Sequence, residues 1–167
     1  MNKKTVKDMT VTALLIALAI MIPVILKPFA VVVGDFTATP AAHVPLIIAL
    51  FISPWSSALV ALGSGVGFSM LFPPIVAYRA FSHIIFAIIG AYMIKKRIKL
   101  FLVIVVTMLI HAAAEALTVL LLGNSALAIV TGIGTMAHHT VDFIIAIAVV
   151  KALVEAKVIN KPPKLLK

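Results

Sequence analysis

Three pairs of reactive side chains stand out because each shares one helical face. Arg79 and His83 are four residues apart, as are His111 and Glu115, and His138 or His139 falls one turn before Asp142. A guanidinium sheltered from water grips a carboxylate or another anion through its planar fork of donors. Paired with Glu115, it can instead lock two helices together. His111 and Glu115, with His138 or His139, have the donor types of a zinc site, but the helical His-Glu-x-x-His pattern is absent. A Ser-His protease built on Ser64 is a weaker match still. The surrounding Gly63-Ser64-Gly65 lacks the Gly-x-Ser-x-Gly spacing of a nucleophile turn.

All of these residues lie in apolar runs. Hydrophobic residues make up 63% of the 167, only 11% are charged, and the mean hydropathy is +1.25. A soluble domain cannot cover itself with so little charge. The expected fold is an all-α membrane protein, because each span must satisfy its own backbone hydrogen bonds in lipid. With no cysteine, disulfides and thiolate-held metals are excluded. The net charge of +9 is gathered in clusters at the ends of runs, which points to membrane topology rather than nucleic acid.

The runs predict a six-transmembrane-helix bundle occupying 1–167 as one domain, with spans at about 9–26, 43–52, 57–71, 74–94, 100–122 and 126–154. Loop 27–42, rich in Pro and Gly, is a candidate lid or re-entrant segment. Six spans put Lys3, Lys4, Lys7, Lys95, Lys96, Arg97, Lys99 and the basic C-terminal residues, including Lys161, Lys164 and Lys167, on one side. Both termini are then expected to be cytoplasmic. Gly63, Gly65 and Gly67 suggest close helix contact, since no phosphate-loop lysine follows. Ala13 and Ala17 give span 1 a small-residue ridge for helix approach, from within the bundle or outside it.

In this topology Arg79 falls in the outer third of its span, and His83 and His111 near the middle. Glu115 lies one turn further out, where it is the best counter-ion for Arg79. Thr131 and Thr135 fall in the outer half, and His138, His139 and Asp142 around the middle. His43 opens span 2 at the outer edge, beneath Asp35 in the loop. An arginine at the bilayer centre costs about 2.5–3.5 kcal/mol on insertion scales, so it faces the interior rather than lipid. The expectation is an outward-facing polar cavity between spans 4, 5 and 6, roofed by loop 27–42. The candidate substrate-binding set is Arg79, His83, His111, Glu115, His139, Tyr78, Phe36 and His43. Phe68 and Phe72 are further candidate walls. A channel is disfavoured, because nothing repeats and a lone arginine suits an anion.

Six short spans, basic ends and Ala13-x-x-x-Ala17 resemble the substrate-binding S components of energy-coupling-factor (ECF) vitamin transporters. His43-Val-Pro-Leu-Ile-Ile-Ala-Leu-Phe-Ile-Ser-Pro and Arg79-Ala-Phe-Ser-His83-Ile-Ile-Phe-Ala-Ile-Ile-Gly90 are most similar to the niacin-type members. The start Met1-Asn2-Lys3 departs from the Met-His of the nickel and cobalt relatives. The resemblance implies a multi-pass protein of a prokaryotic cell membrane that binds a vitamin from outside. It implies delivery to a transmembrane coupling protein and two ATPases, which engage the small-residue face of span 1. ATP is then hydrolysed by the partners, and the S component itself is no enzyme and carries no cofactor or metal. Nicotinate fits a pocket holding an arginine. If Glu115 neutralised that arginine fully, a neutral molecule such as nicotinamide would fit better. Another vitamin or precursor is the alternative on the same fold, and a metal-dependent intramembrane enzyme the alternative of another class.

Overall fold

The computed structural model describes residues 3–34 and 36–159; Asp35 and the basic tail from 160 onward lie outside them. The described residues form six α-helices: α1 (Lys3–Ile25), α2 (Val44–Leu50), α3 (Pro54–Leu71), α4 (Pro74–Lys95), α5 (Leu100–Leu121) and α6 (Ser125–Glu155). Local chemistry sets their ends. The Ser53 hydroxyl accepts the Ser56 N–H at 3.0 Å, and Pro54 occupies the first helical position of α3. Asn124 caps α6 by accepting the Leu127 N–H at 2.9 Å. Pro73 and Pro74 separate α3 from α4.

Burial is inverted relative to a soluble protein. Leu14, Val66, Met70, Leu121, Ile129 and Ile144 are exposed, whereas Arg79, His111, Glu115, Thr131, His139 and Asp142 are buried. Such a surface requires an apolar solvent, and the polar groups inside mark the working part of the bundle. Among the described residues four helices are long and apolar enough to cross a bilayer: α1 over Thr5–Ile25, α4, α5 and α6. α3, of 18 residues, is diluted by three glycines and four serines and is not among them. α2 has seven residues, all buried, and rises about 10 Å, a third of the hydrocarbon thickness.

The helices pack in the order α1–α3–α4–α5–α6, and α2 sits inside against α1, α3, α4 and α6. Gly63 and Gly67 of α3 face Ile16 and Ile20 of α1, where an added Cβ would come within 2.7 and 2.4 Å. Gly65 faces the other way, against Phe81 of α4 at 2.6 Å. The glycines thus let α3 lie tightly between two neighbours. The Lys7 ammonium donates to the Lys157 carbonyl, so the start of α1 and the end of α6 lie at the same end of the bundle.

Loop 27–42 has structure of its own. A 3-10 turn (Lys27–Phe29) leads into an antiparallel pair, β1 (Val31–Val33) and β2 (Phe36–Ala38), with Val33 opposite Phe36. Gly34 takes the left-handed φ of +59° that the two-residue turn requires. β1 is exposed on every residue, while Phe36 and Ala38 of β2 are buried. Gly134 of α6 makes room for Phe36, whose ring would lie 2.5 Å from a Cβ there.

Candidate functional site

The four-residue spacings of α4 and α5 bring their polar faces together. Arg79 Nε and Nη2 donate to Glu115 Oε2 at 3.2 and 2.9 Å, and the Thr135 hydroxyl of α6 donates to the same oxygen. His83 Nε2 lies 2.9 Å from Glu115 Oε1, and His111 Nε2 lies 3.5 Å from it. The Phe36 ring covers the guanidinium, 5.0 Å from centroid to Cζ. Among the described residues Arg79 Nη1 makes no hydrogen bond, so one edge of the fork stays available.

Behind this layer runs a chain of imidazoles. His111 Nδ1 is 2.9 Å from His139 Nδ1, and His139 Nε2 is 3.1 Å from Thr107 Oγ1. The Thr107 hydroxyl donates to the Val103 carbonyl at 2.6 Å. In that arrangement its oxygen accepts from His139 Nε2–H, and His139 Nδ1 accepts from His111 Nδ1–H; the reversed chain has every donor and acceptor exchanged. His111 Nε2, at the other edge of the ring, is buried and has no hydrogen-bond partner among the described residues.

Loop 27–42 enters the bundle and is fixed there by α6. The buried Asp142 carboxylate accepts the backbone N–H of Ala41 and of His43, both at 2.8 Å, and His43 Nδ1–H at 3.1 Å. His43 consequently lies at the hub, its ring centroid 4.8 Å from His83, 4.6 Å from His111 and 4.7 Å from His138. This corrects the expected place of His43 at the outer edge. Depth counting assumed that span 2 crosses fully, but α2 is short and begins in the interior.

A cavity of about 70 Å³ opens beside Arg79. Arg79, His83, Glu115, His43 and His138 give it polar walls, and Thr37, Thr39, Phe68, Phe72 and Pro23 complete it. Its lining draws on α1, the loop and α3 as well as the three expected helices. Of the expected set, Arg79, His83, Glu115 and His43 line it. Phe36 packs over Arg79 but is not part of the lining, and neither are His111 and His139, which stand behind Glu115 and His83. Tyr78 is a correction: it is 53% exposed on the outside of α4, because one residue before Arg79 is about 100° around the helix. Thr135, His138 and Asp142 were not in the expected set. For Thr135 and Asp142 the signal was present, since they share a helical spacing with Thr131 and His139 that forms one buried stripe on α6; His138 lies off that stripe. Ala13 and Ala17 are both exposed, so internal packing does not account for them.

No family model matches the chain, and no solved structure matches it. One curated protein does. The niacin transporter NiaX of Lactococcus lactis subsp. cremoris (strain MG1363) is 30% identical over 174 aligned positions, covering 93% of this chain and 78% of the relative. The chain belongs to the NiaX family. This bears out the resemblance to niacin-type S components carried by the His43 and Arg79 stretches. As a NiaX-family member the chain is a multi-pass membrane protein of vitamin transport, and the intramembrane-enzyme alternative falls.

Proposed function

We propose that the chain binds nicotinate from outside the cell and passes it to an ECF coupling module. The observation that carries this reading is the edge of Arg79 that the described residues leave unbonded, beside a cavity of about 70 Å³. That volume is well below the ~300–1,000 Å³ of pockets for drug-sized ligands, and suits a single-ring acid. The fork would hold the carboxylate, His43 or His83 would meet the ring nitrogen, and Phe68 and Phe72 would flank the ring. The relative's name, a niacin transporter, points the same way. Nicotinamide is the second reading, favoured by the ion pair that occupies two of the Arg79 donors. Titration calorimetry on the purified chain is expected to give tight nicotinate binding and weak or no nicotinamide binding. The reverse order would replace the acid by the amide, and binding of neither would reject the vitamin assignment.

In this proposal residues 1–167 form one domain with six crossings, in a prokaryotic cell membrane. Loop 27–42 and α2 together make the second crossing. Both termini are cytoplasmic, which agrees with the shared end of Lys7 and Lys157 and with the basic residues after α4. The partners are a transmembrane coupling protein and two ATPases that hydrolyse the ATP; the chain needs no cofactor for its transport role. Exposed Ala13 and Ala17 offer the contact ridge, and Ala13 borders a groove of about 300 Å³ with Met9, Thr12, Ser53 and Trp55. Ala13→Trp and Ala17→Trp are expected to leave vitamin binding unchanged while blocking co-purification with the coupling module. Full co-purification would move the interface elsewhere.

A further inference from the structure

We propose that His43, His83, His111 and Glu115 form a site for one divalent transition-metal ion of the zinc class at the cavity floor. Each of the four offers one donor atom, and those atoms all lie within 4.8 Å of one another. All four residues are buried, and they come from three elements: the segment before α2, α4 and α5. Zinc bonds of about 2.0–2.1 Å put tetrahedral ligands about 3.4 Å apart. The widest pair therefore closes by about 1.4 Å, a movement within reach of side-chain rotation.

The second observation is the orphaned nitrogen. His111 Nε2 is fully enclosed, lacks a hydrogen-bond partner and lies 3.5 Å from Glu115 Oε1. With the Thr107 hydroxyl donating to Val103, the relay through His139 places the His111 proton on Nδ1 and turns a lone pair toward a carboxylate oxygen; with the relay reversed, Nε2–H faces that oxygen, and a metal displaces this proton. In the first arrangement two electron-rich atoms face one another, and a cation between them is favourable. His43 is oriented in the same manner: Asp142 holds Nδ1–H, which leaves the Nε2 lone pair on the opposite edge of the ring. Arg79 and Thr135 hold Glu115 Oε2, which leaves Oε1 as the ligand oxygen. His83 Nε2 now shares a proton with that oxygen. On metal binding this proton passes to Nδ1 and Nε2 takes up the ion. A metal ligand whose outer atom is tied by a hydrogen bond is the arrangement that metal sites use to fix tautomer and direction.

Three imidazoles and one carboxylate suit zinc, cobalt or nickel, whereas calcium and magnesium require oxygen donors. Charge agrees. Among the described residues the cluster holds two carboxylates, Glu115 paired with Arg79 and Asp142 paired with His43, so with neutral histidines it lacks one positive charge. A divalent ion reverses that sign and makes the cavity receptive to an anion. The site meets the nicotinate reading at this charge and at His43 and His83, which in the metal-loaded chain hold the ion instead of the ring nitrogen.

The test uses the full chain without a polyhistidine tag, in detergent, stripped by chelator and with no vitamin present. Cobalt(II) titration is expected to give one equivalent bound, with the intense visible bands of a four-coordinate site, displaced by one equivalent of zinc. His111→Ala and Glu115→Gln are expected to lose the bands, while His138→Ala, outside the four ligands, keeps them. Should His111→Ala not fold, His83→Gln carries the same expectation at the cavity wall. Absence of stoichiometric cobalt in the parent chain, or a full equivalent retained by folded His111→Ala or His83→Gln, overturns the site. Nicotinate calorimetry on metal-free and metal-loaded protein is read separately, so the vitamin assignment and the metal site fail independently.

Discussion

Arg79→Ala is expected to weaken nicotinate binding at least tenfold, which is about 1.4 kcal/mol. The loss follows from removing a charged fork from a cavity that holds no other fixed cation among its lining residues. The same change strips Glu115 of two of its hydrogen bonds and leaves a buried carboxylate without its counter-ion. Breaking a buried ion pair from one side costs about 3–5 kcal/mol, so the melting temperature falls as well. A fall in both quantities would not by itself separate ligand contact from support of the fold. The double variant Arg79→Gln/Glu115→Gln separates them, because it removes both charges and keeps polar side chains in place. Its melting temperature is expected to recover most of the loss, with nicotinate binding still weak. Recovery of binding as well would mean that the guanidinium only braces the helices. Calorimetry is the suitable readout: Trp55, the only tryptophan, is 72% exposed at the start of α3 and does not line the cavity.

The sequence carried much of this site in its four-residue spacings. Arg79 with His83 and His111 with Glu115 share helical faces, and similar depth was enough to pair Arg79 with Glu115. What spacing could not carry was the path of the chain between α1 and α2. An apolar run such as His43–Ile52 looks like a short crossing. Nothing within it shows that the preceding loop folds back into the bundle. That information sits about a hundred residues away, in Asp142, whose use as an anchor for backbone N–H groups is a tertiary fact. The adjacent pair His138 and His139 was similarly open. Both turn inward, but in different layers: His139 joins the enclosed relay, and His138 reaches the cavity. Tyr78 was misplaced for a simpler reason, since adjacency in sequence to Arg79 is not adjacency on a helix face.

Asp142→Ala is expected to be the most damaging single change to the loop. One fully buried carboxylate receives three donors: two backbone N–H groups and the His43 ring. Leaving a buried donor unpaired costs about 1–3 kcal/mol, and two backbone groups lose their partner at once. The backbone there is also held in an unfavourable form, since Ala41 has a φ of 65°, a left-handed conformation that residues with a Cβ avoid. Without the carboxylate this turn has less reason to persist. The predicted loss is about 3–5 kcal/mol, read as a lowered melting temperature, together with new protease cleavage within residues 27–42. Nicotinate binding falls with it, because Thr37, Thr39 and His43 supply part of the cavity wall. Asp142→Asn keeps the shape but turns one acceptor into a donor, so a smaller fall in the same direction is expected. Ala41→Gly placed on that background relieves the left-handed strain and recovers part of the stability. If Asp142→Ala melts with the parent chain and its loop resists protease equally well, the loop is held by Phe36 packing against Gly134 instead, and the carboxylate is no anchor.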